Sequence, residues 1–326
     1  MVLNKVNRAF VTGGSGKIGK HLVSLLLREN FDIKILSRND LTSWQNQNRV
    51  KVVKADLLDK NILTKELSED DYVFHLAVHQ GIDHFDWETF FKVNVLGTEV
   101  LLESCLKKKV KKVICVSSTV VFESTGQNEQ DEKMHLIDAK RSDHYAASKV
   151  EALKRTRNFV AKTKGLLPII TVFPSMVIDL NDFNSSRPTN KSFLQSFFWD
   201  KIGGGIPGGV INRIGRGNRI LNYVIIEDLV QGLLLAAYNG NSGEEYILGG
   251  ENITAQGYLK ALTDRTKKKV LPLRVPVFPF RVIYLFRNIL KLPPVISIIV
   301  QNITKDYFLS SKKAKKKLGY NPERKL

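Results

Sequence analysis

The sequence predicts an α/β protein, and three observations carry that prediction. A glycine-rich stretch, Thr12-Gly13-Gly14-Ser15-Gly16-Lys17-Ile18-Gly19, lies between an apolar run and a run with helical periodicity. Short apolar strands then alternate with helices as far as Val172. Two of those helices, over 88–106 and from 143 onward, set polar residues on faces that are otherwise apolar.

Taken in order, Ala9-Phe10-Val11 reads as a buried strand, and Ile18, Leu22, Leu25 and Leu26 recur at helical spacing behind the glycines. A glycine turn in that context lets backbone N–H groups approach a pyrophosphate, with the positive end of the helix dipole behind them and no Cβ in the way. Gly13, Ser15, Gly16, Lys17, Ile18 and Gly19 are therefore candidate dinucleotide-binding residues. Phe31 to Leu36 suits a second strand, ending at Ser37-Arg38-Asn39-Asp40. A carboxylate at that place binds a ribose 2′-hydroxyl, whereas an arginine accommodates a 2′-phosphate. Ser37 and Arg38 come first and no carboxylate precedes Asp40, so NADP is favoured, with NAD as the alternative.

Val50 to Leu57 reads as a third strand running into a turn with Asp56 and Leu57 as candidate cofactor residues. The Asp56 carboxylate would accept a hydrogen bond from an adenine amino group, or would only cap the helix beginning near Asp59. The fourth strand, Asp71 to Ala77, ends in Leu76-Ala77-Val78, small and apolar enough for a cofactor to lie against the backbone. His75 reads as a packed or hydrogen-bonded histidine. In the helix over 88–106, Phe91, Val95, Thr98, Leu101, Leu102 and Cys105 share one stripe with Asn94, whose amide must find partners once buried.

The fifth strand, Lys111 to Val116, ends in Ser117-Ser118-Thr119. Asp143-His144-Tyr145-Ala146-Ala147-Ser148-Lys149 then opens the second helix, with Tyr145 and Lys149 on a face that continues through Ala152, Leu153 and Thr156. A lysine on such a face is costly to bury without a role, and its charge would draw the Tyr145 phenol towards a working pKa. Leu167 to Val172 is a sixth strand, followed by Phe173-Pro174-Ser175. Beyond Asp179 the alternation stops. Asn181 to Gly217 is polar and then glycine-rich, the composition of a functional loop, and reads as substrate-binding surface. Ile220 to Val224 (strand), Ile226 to Ala237 (helix), Glu244 to Leu248 (strand) and Ala255 to Thr266 (helix) come next. Residues 270–310 are apolar but broken by prolines. Within them Phe278 to Leu292 is too short and too charged to span a bilayer. A lobe over the substrate is the favoured reading there, and peripheral membrane contact by a basic amphipathic helix is the alternative.

At 326 residues and 43% hydrophobic composition, the chain can bury one large core, or one core with a smaller lobe. Cys105 and Cys115 fall in apolar surroundings and read as reduced core residues, and no metal-ligand spacing occurs. The first strand starts within ten residues of Met1, which leaves no space for a secretory leader and points to the cytoplasm. The net charge of +18 is spread over diffuse lysines and the run Lys312 to Lys317, a solvated helix face. It also suits an anionic small-molecule substrate, while no nucleic-acid-binding signature accompanies it.

Together, Thr12 to Gly19, Asp56, Asn94, Ser117-Ser118, Tyr145-x-x-x-Lys149, Phe173 to Val177 and Tyr223 to Asp228 resemble the extended short-chain dehydrogenase/reductase family across nearly the whole chain. The resemblance implies a doubly wound parallel sheet (a Rossmann fold) with a smaller C-terminal substrate lobe. A dinucleotide-binding domain would span 1–178 and the lobe 179–326, with 219–248 returning to the core. It further implies that Ser118 holds a substrate oxygen, Tyr145 exchanges a proton, and Lys149 binds the nicotinamide ribose and tunes Tyr145, with Asn94 in support. Helices 88–106 and 144–160 would pair if the protein is a homodimer, as in relatives. Dehydratases of the family usually carry Asp-Glu where this chain has Val120-Val121, so dehydration is disfavoured. The Phe173 to Ile178 segment is more similar to the dihydroflavonol-reductase-like and hydroxysteroid-dehydrogenase-like branch, with Asp179 in place of the usual glycine. The expected activity is oxidoreduction of a ketone or secondary alcohol with NADP(H). A nucleotide-sugar epimerase or reductase is the alternative, and a non-catalytic dinucleotide sensor is opposed by the intact Ser-Tyr-Lys set.

Overall fold

The computed structural model describes residues 6–44, 47–80, 86–138, 144–183, 215, 217–267, 276–286 and 305–326. Strands β1 (Arg8–Thr12), β2 (Asp32–Ser37), β3 (Val50–Lys54), β4 (Asp71–His75), β5 (Lys112–Val116), β6 (Ile169–Pro174) and β9 (Glu245–Leu248) form one sheet. Its order is β3-β2-β1-β4-β5-β6-β9, and every neighbouring pair is parallel. Such a sheet needs crossovers that cover both faces, which is why its strands read as continuous apolar runs.

Adjacent residues of β1 go to opposite sides. Ala9 and Val11 join the core under α1 (Lys17–Arg28) and α6 (Ile226–Asn239), with Leu22, Leu26, Leu229 and Leu233. Phe10 joins the core on the other face, with Leu101, Leu102 and Cys105 of α4 (Gly97–Lys108) and Leu63 of α2 (Lys60–Glu66). The chain leaves β1 towards β2 and β3 and returns through β4 on the other side. That reversal opens a crevice beyond the carboxyl ends of β1 and β4, the place where open α/β sheets take ligands.

The expected helix over 88–106 is observed in three parts. α3 (Trp87–Phe90) and α4 are joined by a π turn, Phe91–Leu96, in which the Gly97 N–H reaches back to the Lys92 carbonyl. α5 (His144–Thr163) packs against that turn. The sixth strand continues past Val172 to Pro174, because Phe173 and Pro174 pair with Ile247 and Leu248 of β9.

A second sheet, ordered β10-β8-β7, is built from β7 (Met176–Ile178), β8 (Ile220–Ile225) and β10 (Glu251–Thr254). Ile178, Leu221, Tyr223 and Ile225 pack there against Tyr258 and Leu262 of α7 (Ala255–Thr266). β8 thus sits in the small sheet, while α6 and β9 rejoin the large one. α8 (Phe278–Leu285) exposes Phe278 and Leu285. The lysine run forms α9 (Lys312–Leu318), which buries Ala314 and Leu318 and pairs Lys312 with Glu129 and Lys313 with Glu244. It is therefore a packed helix with one charged face. Asp143, the glycine-rich run 203–209 and most of 184–216 and 268–304 lie outside the described residues. Among the described residues, no helix is long and apolar enough to cross a membrane.

Candidate functional site

The glycine turn stands at the crevice, and Gly13 and Gly19 have separate steric reasons. Gly13 has φ +73°, and a Cβ on it would lie 2.6 Å from the Ala77 nitrogen, so only glycine lets β1 and the end of β4 come this close. A Cβ on Gly19 would meet the Gly13 carbonyl at 2.2 Å, which fixes α1 against the turn. At Gly16 the nearest atom to a Cβ would be the Gly13 oxygen at 3.3 Å. Its outer side is open, and Ser15, Gly16 and Lys17 are exposed around the α1 N-terminus. A glycine cradle at a helix N-terminus is a donor set for a phosphate group, and it fits a dinucleotide pyrophosphate. Ile18 is half-buried against the core. The Lys17 ammonium pairs with Asp182.

At the end of β2, the Ser37 hydroxyl donates to the Asn39 carbonyl at 2.7 Å, and Arg38 is exposed. Asp40, the nearest carboxylate, pairs with Lys54 at 2.8 Å. Asp56 is exposed and accepts the Leu58 N–H at 2.9 Å. It does not cap α2: Asp59 does, accepting the Ile62 N–H at 3.0 Å, so the capping alternative for Asp56 is corrected. Leu57 is buried against Gly97, where a Cβ would come within 2.5 Å of it. Leu76, Ala77 and Val78 are half-buried along the chain leaving β4.

On the other side of the crevice, Lys149 is buried to 9% exposure and donates from Nζ to the Val116 carbonyl at 3.1 Å. Its position on α5 places it beside the backbone that runs from β5 into Ser117 and Ser118. Tyr145 precedes it by one helical turn and is half-buried. Burial pushes the Lys149 pKa down to about 8, since an ammonium loses its hydration there. The Ser118 hydroxyl accepts the Val120 N–H at 3.3 Å and keeps its own proton to donate. The neighbouring Ser117 hydroxyl and the Ser175 hydroxyl are buried without a hydrogen-bond partner. Both serines directly follow strands of the large sheet, Ser117 after β5 and Ser175 after β6. Phe173 differs: its ring is fully buried 4.8 Å from that of Phe122, so only its backbone, with that of Pro174, is available to a ligand.

Asn94 lies in the π turn and is buried. Its Oδ1 accepts the His79 N–H at 2.7 Å, while Nδ2 donates to the His79 carbonyl at 3.0 Å and to Ser148 Oγ at 2.9 Å. Ser148 Oγ in turn donates to the Tyr145 carbonyl at 2.8 Å. Asn94 thus ties the chain after β4 to the first turn of α5.

Sequence reasoning assigned no partners to three groups near the site. Asp179 is buried, accepts the Asn181 N–H at 2.9 Å, and faces His21 of α1 across 3.2 Å. His75 lies between Thr12 and Thr98, at 2.8 and 2.9 Å. The sequence carried no signal for the latter, because Thr12 and His75 become direct partners only in the β1–β4 ladder. Cys105 and Cys115 are buried free thiols, and burial raises the Cys115 pKa to about 12. Among the described residues no group of three or more histidine, cysteine or acidic side chains could hold a metal ion.

Residues 9–249 match the model of the NAD dependent epimerase/dehydratase family. A protein of Synechocystis named "Putative dihydroflavonol 4-reductase" is 30% identical over 283 residues, which cover 82% of this chain and 76% of that protein. A dTDP-D-glucose 4,6-dehydratase of Dictyostelium discoideum is 27% identical over 265 residues, covering 75% of this chain and 58% of that one. The crystal structure of the dTDP-glucose 4,6-dehydratase DesIV from Streptomyces venezuelae, with NAD and TYD bound, superposes with a TM-score of 0.72 at 23% identity. That match covers 98% of this chain and 92% of that one, and establishes likeness of fold.

Proposed function

Because the chain belongs to the NAD-dependent epimerase/dehydratase family, we propose that it moves a hydride between NADP(H) and a ketone or secondary alcohol of a small molecule. The observation that carries this reading is Lys149, a buried lysine one turn from Tyr145 whose ammonium meets the carbonyl just before Ser117 and Ser118. One hydrogen bond to the Val116 carbonyl offsets only part of the desolvation of that ammonium, which is unfavourable unless the charge is used.

When bound, the nicotinamide group supplies or accepts the hydride. Gly13, Ser15, Gly16, Lys17, Ile18 and Gly19 would hold the pyrophosphate, and Ser37 with Arg38 the adenosine 2′-phosphate. Asp56 and Leu57 would flank the adenine. Leu76, Ala77, Val78 and the backbone of Phe173, Pro174 and Ser175 would border the rest. The Ser118 hydroxyl donates to the substrate oxygen and holds it. Tyr145 Oη gives that oxygen its proton in reduction and takes it back in oxidation. The Lys149 ammonium favours the tyrosinate and offers N–H donors to the nicotinamide ribose. Asn94 acts from a distance, by holding the first turn of α5. NADP is preferred to NAD because Asp40 is engaged by Lys54 and Arg38 is the cation at the end of β2.

One observation favours a second reading, a nucleotide-sugar epimerase or reductase that retains its cofactor: the net charge of +18 suits an anionic substrate. The two part on a simple test. Purified protein that still carries nicotinamide absorbance after desalting supports the epimerase, and exchangeable cofactor supports the reductase. NADPH consumption is then followed over ketone and nucleotide-sugar panels, with Tyr145→Phe as the control. That variant should bind NADPH as the wild type does and lose about a hundredfold or more of turnover; undiminished turnover would remove Tyr145 from the mechanism.

A further inference from the structure

A line of buried polar groups runs under the crevice from the glycine turn to α5. The Ala77 N–H donates to Thr12 Oγ1 at 3.2 Å, and Thr12 Oγ1 lies 2.8 Å from His75 Nδ1. His75 Nε2 lies 2.9 Å from Thr98 Oγ1, which is 2.7 Å from the Asn94 carbonyl. Beyond Asn94 the line continues through its amide to His79 and Ser148, and from Ser148 to the Tyr145 carbonyl.

Hydrogen counting fixes the direction of every link. A carbonyl only accepts, so the single Thr98 hydroxyl proton goes to Asn94, and Thr98 must accept from His75. Nε2 therefore carries the imidazole proton. Burial, with the Lys149 cation nearby, drives the His75 pKa down to about 3, so the ring is neutral and Nδ1 is bare. Nδ1 accepts the Thr12 hydroxyl proton, which leaves the Thr12 lone pairs for the Ala77 N–H. No link competes with another, and no donor is left over.

The Thr98 contact falls on the part of the helix that departs from α geometry. In the π turn the Gly97 N–H bonds to Lys92 rather than to Val93, and the Asn94 carbonyl receives a side-chain hydroxyl. We propose that His75, as its Nε2–H tautomer, is a positioning residue that holds this π turn through Thr98. Asn94 is thereby kept on His79 and Ser148, and the first turn of α5 in a fixed relation to the glycine turn. This gives the reductase reading its geometric link between the cofactor cradle and the Tyr145–Lys149 helix, and rests on that reading for its purpose. It needs no contact between His75 and any ligand.

The test requires no substrate, so its failure and that of the reductase reading are separable. In protein labelled with 15N-histidine, His75 should show a bare Nδ1 and a protonated Nε2, unchanged between pH 5 and 8. An Nδ1–H tautomer, or titration in that range, overturns the proposal. Because His75 substitutions in a buried strand threaten folding, Thr98→Val and Thr98→Ser are compared instead. Amide hydrogen exchange at 77–79 and 145–149 should rise about tenfold in Thr98→Val, the effect of one buried hydrogen bond, and stay within about twofold of wild type in Thr98→Ser. NADPH binding, read by its fluorescence, should follow the same order. Exchange in Thr98→Val that is unchanged at those segments, or raised uniformly over α4 and the sheet, leaves Thr98 and His75 as packing residues and overturns the proposal.

Discussion

Replacing Lys149 with methionine should make the cofactor-free protein more stable, and the amount follows from where the ammonium sits. Burial lowers its pKa from 10.5 to about 8. At about 1.4 kcal/mol per unit, keeping that group charged in the folded state at neutral pH costs about 3 kcal/mol. Methionine fills a similar volume without a charge, but leaves the Val116 carbonyl without its donor, a loss of about 1 kcal/mol. The net expectation is a gain of about 2 kcal/mol at pH 7 in urea unfolding. The pH dependence isolates the cause. As pH rises through about 8 the folded lysine gives up its proton while the unfolded one holds it until about 10.5, so the unfolded state binds more protons and folding stability rises with pH. The wild type should therefore close the gap on Lys149→Met across that window, and the difference between the two cancels other titrating groups. NADPH affinity in the variant should meanwhile fall about tenfold, as a charged hydrogen bond to the ribose is lost. Stability curves for the two proteins that run parallel from pH 7 to 10.5 would refute the buried-ammonium argument.

Three further outcomes are expected. Arg38→Ala should weaken NADP+ binding about tenfold or more and leave NAD+ within about twofold; calorimetric titration with both nucleotides decides it, and an unmoved ratio removes the 2′-phosphate assignment. Gly13→Ala and Gly126→Ala both place a side chain at positive φ, +73° and +60°, but only the first drives a Cβ into backbone. Urea unfolding should therefore show a loss of roughly 1 kcal/mol for Gly126→Ala and clearly more for Gly13→Ala, and equal losses would mean that the contact with Ala77 is dispensable. Asp179→Gly should lower stability by roughly 1 kcal/mol through loss of the Asn181 and His21 contacts. NADPH affinity should stay within about twofold, and a tenfold fall would show that this pairing also sets the glycine turn.

What could be read from the residues divides by the range of the contacts involved. The strand, glycine turn and helix at the N-terminus were legible because β1 is buried on both faces and α1 on one, so apolar run and apolar stripe both register in sequence. The shared helix of Tyr145 and Lys149 was legible because a spacing of four places both residues on one face. The link from Thr12 to His75 was not, since 63 residues separate partners that only the β1–β4 register brings together. The small sheet was missed as a unit for a similar reason. β7 has three residues, and its neighbour β8 does not begin until Ile220, far along the sequence. Asp56 and Asp59 show a local limit: both residues suit a helix start, and only the hydrogen-bond geometry tells the cap from the turn.

The π turn has a consequence for how this protein tolerates change. Between Trp87 and Lys108 the chain holds one residue more than a regular ladder of amide bonds would use. Removing a single residue there, such as Val93, would let the ladder close as an ordinary α-helix with α3 and α4 in nearly the same relation, but would swing the residues of the turn itself, Asn94 among them, around the helix axis. Asn94 and Thr98 could then no longer both face their partners, although every side chain in the crevice would remain in the sequence. A lesion of that kind is invisible to a residue-by-residue comparison of site positions, so a chain lacking one residue in this helix can keep Ser118, Tyr145 and Lys149 and still lose the hydrogen bonds that tie Asn94 to His79 and Ser148.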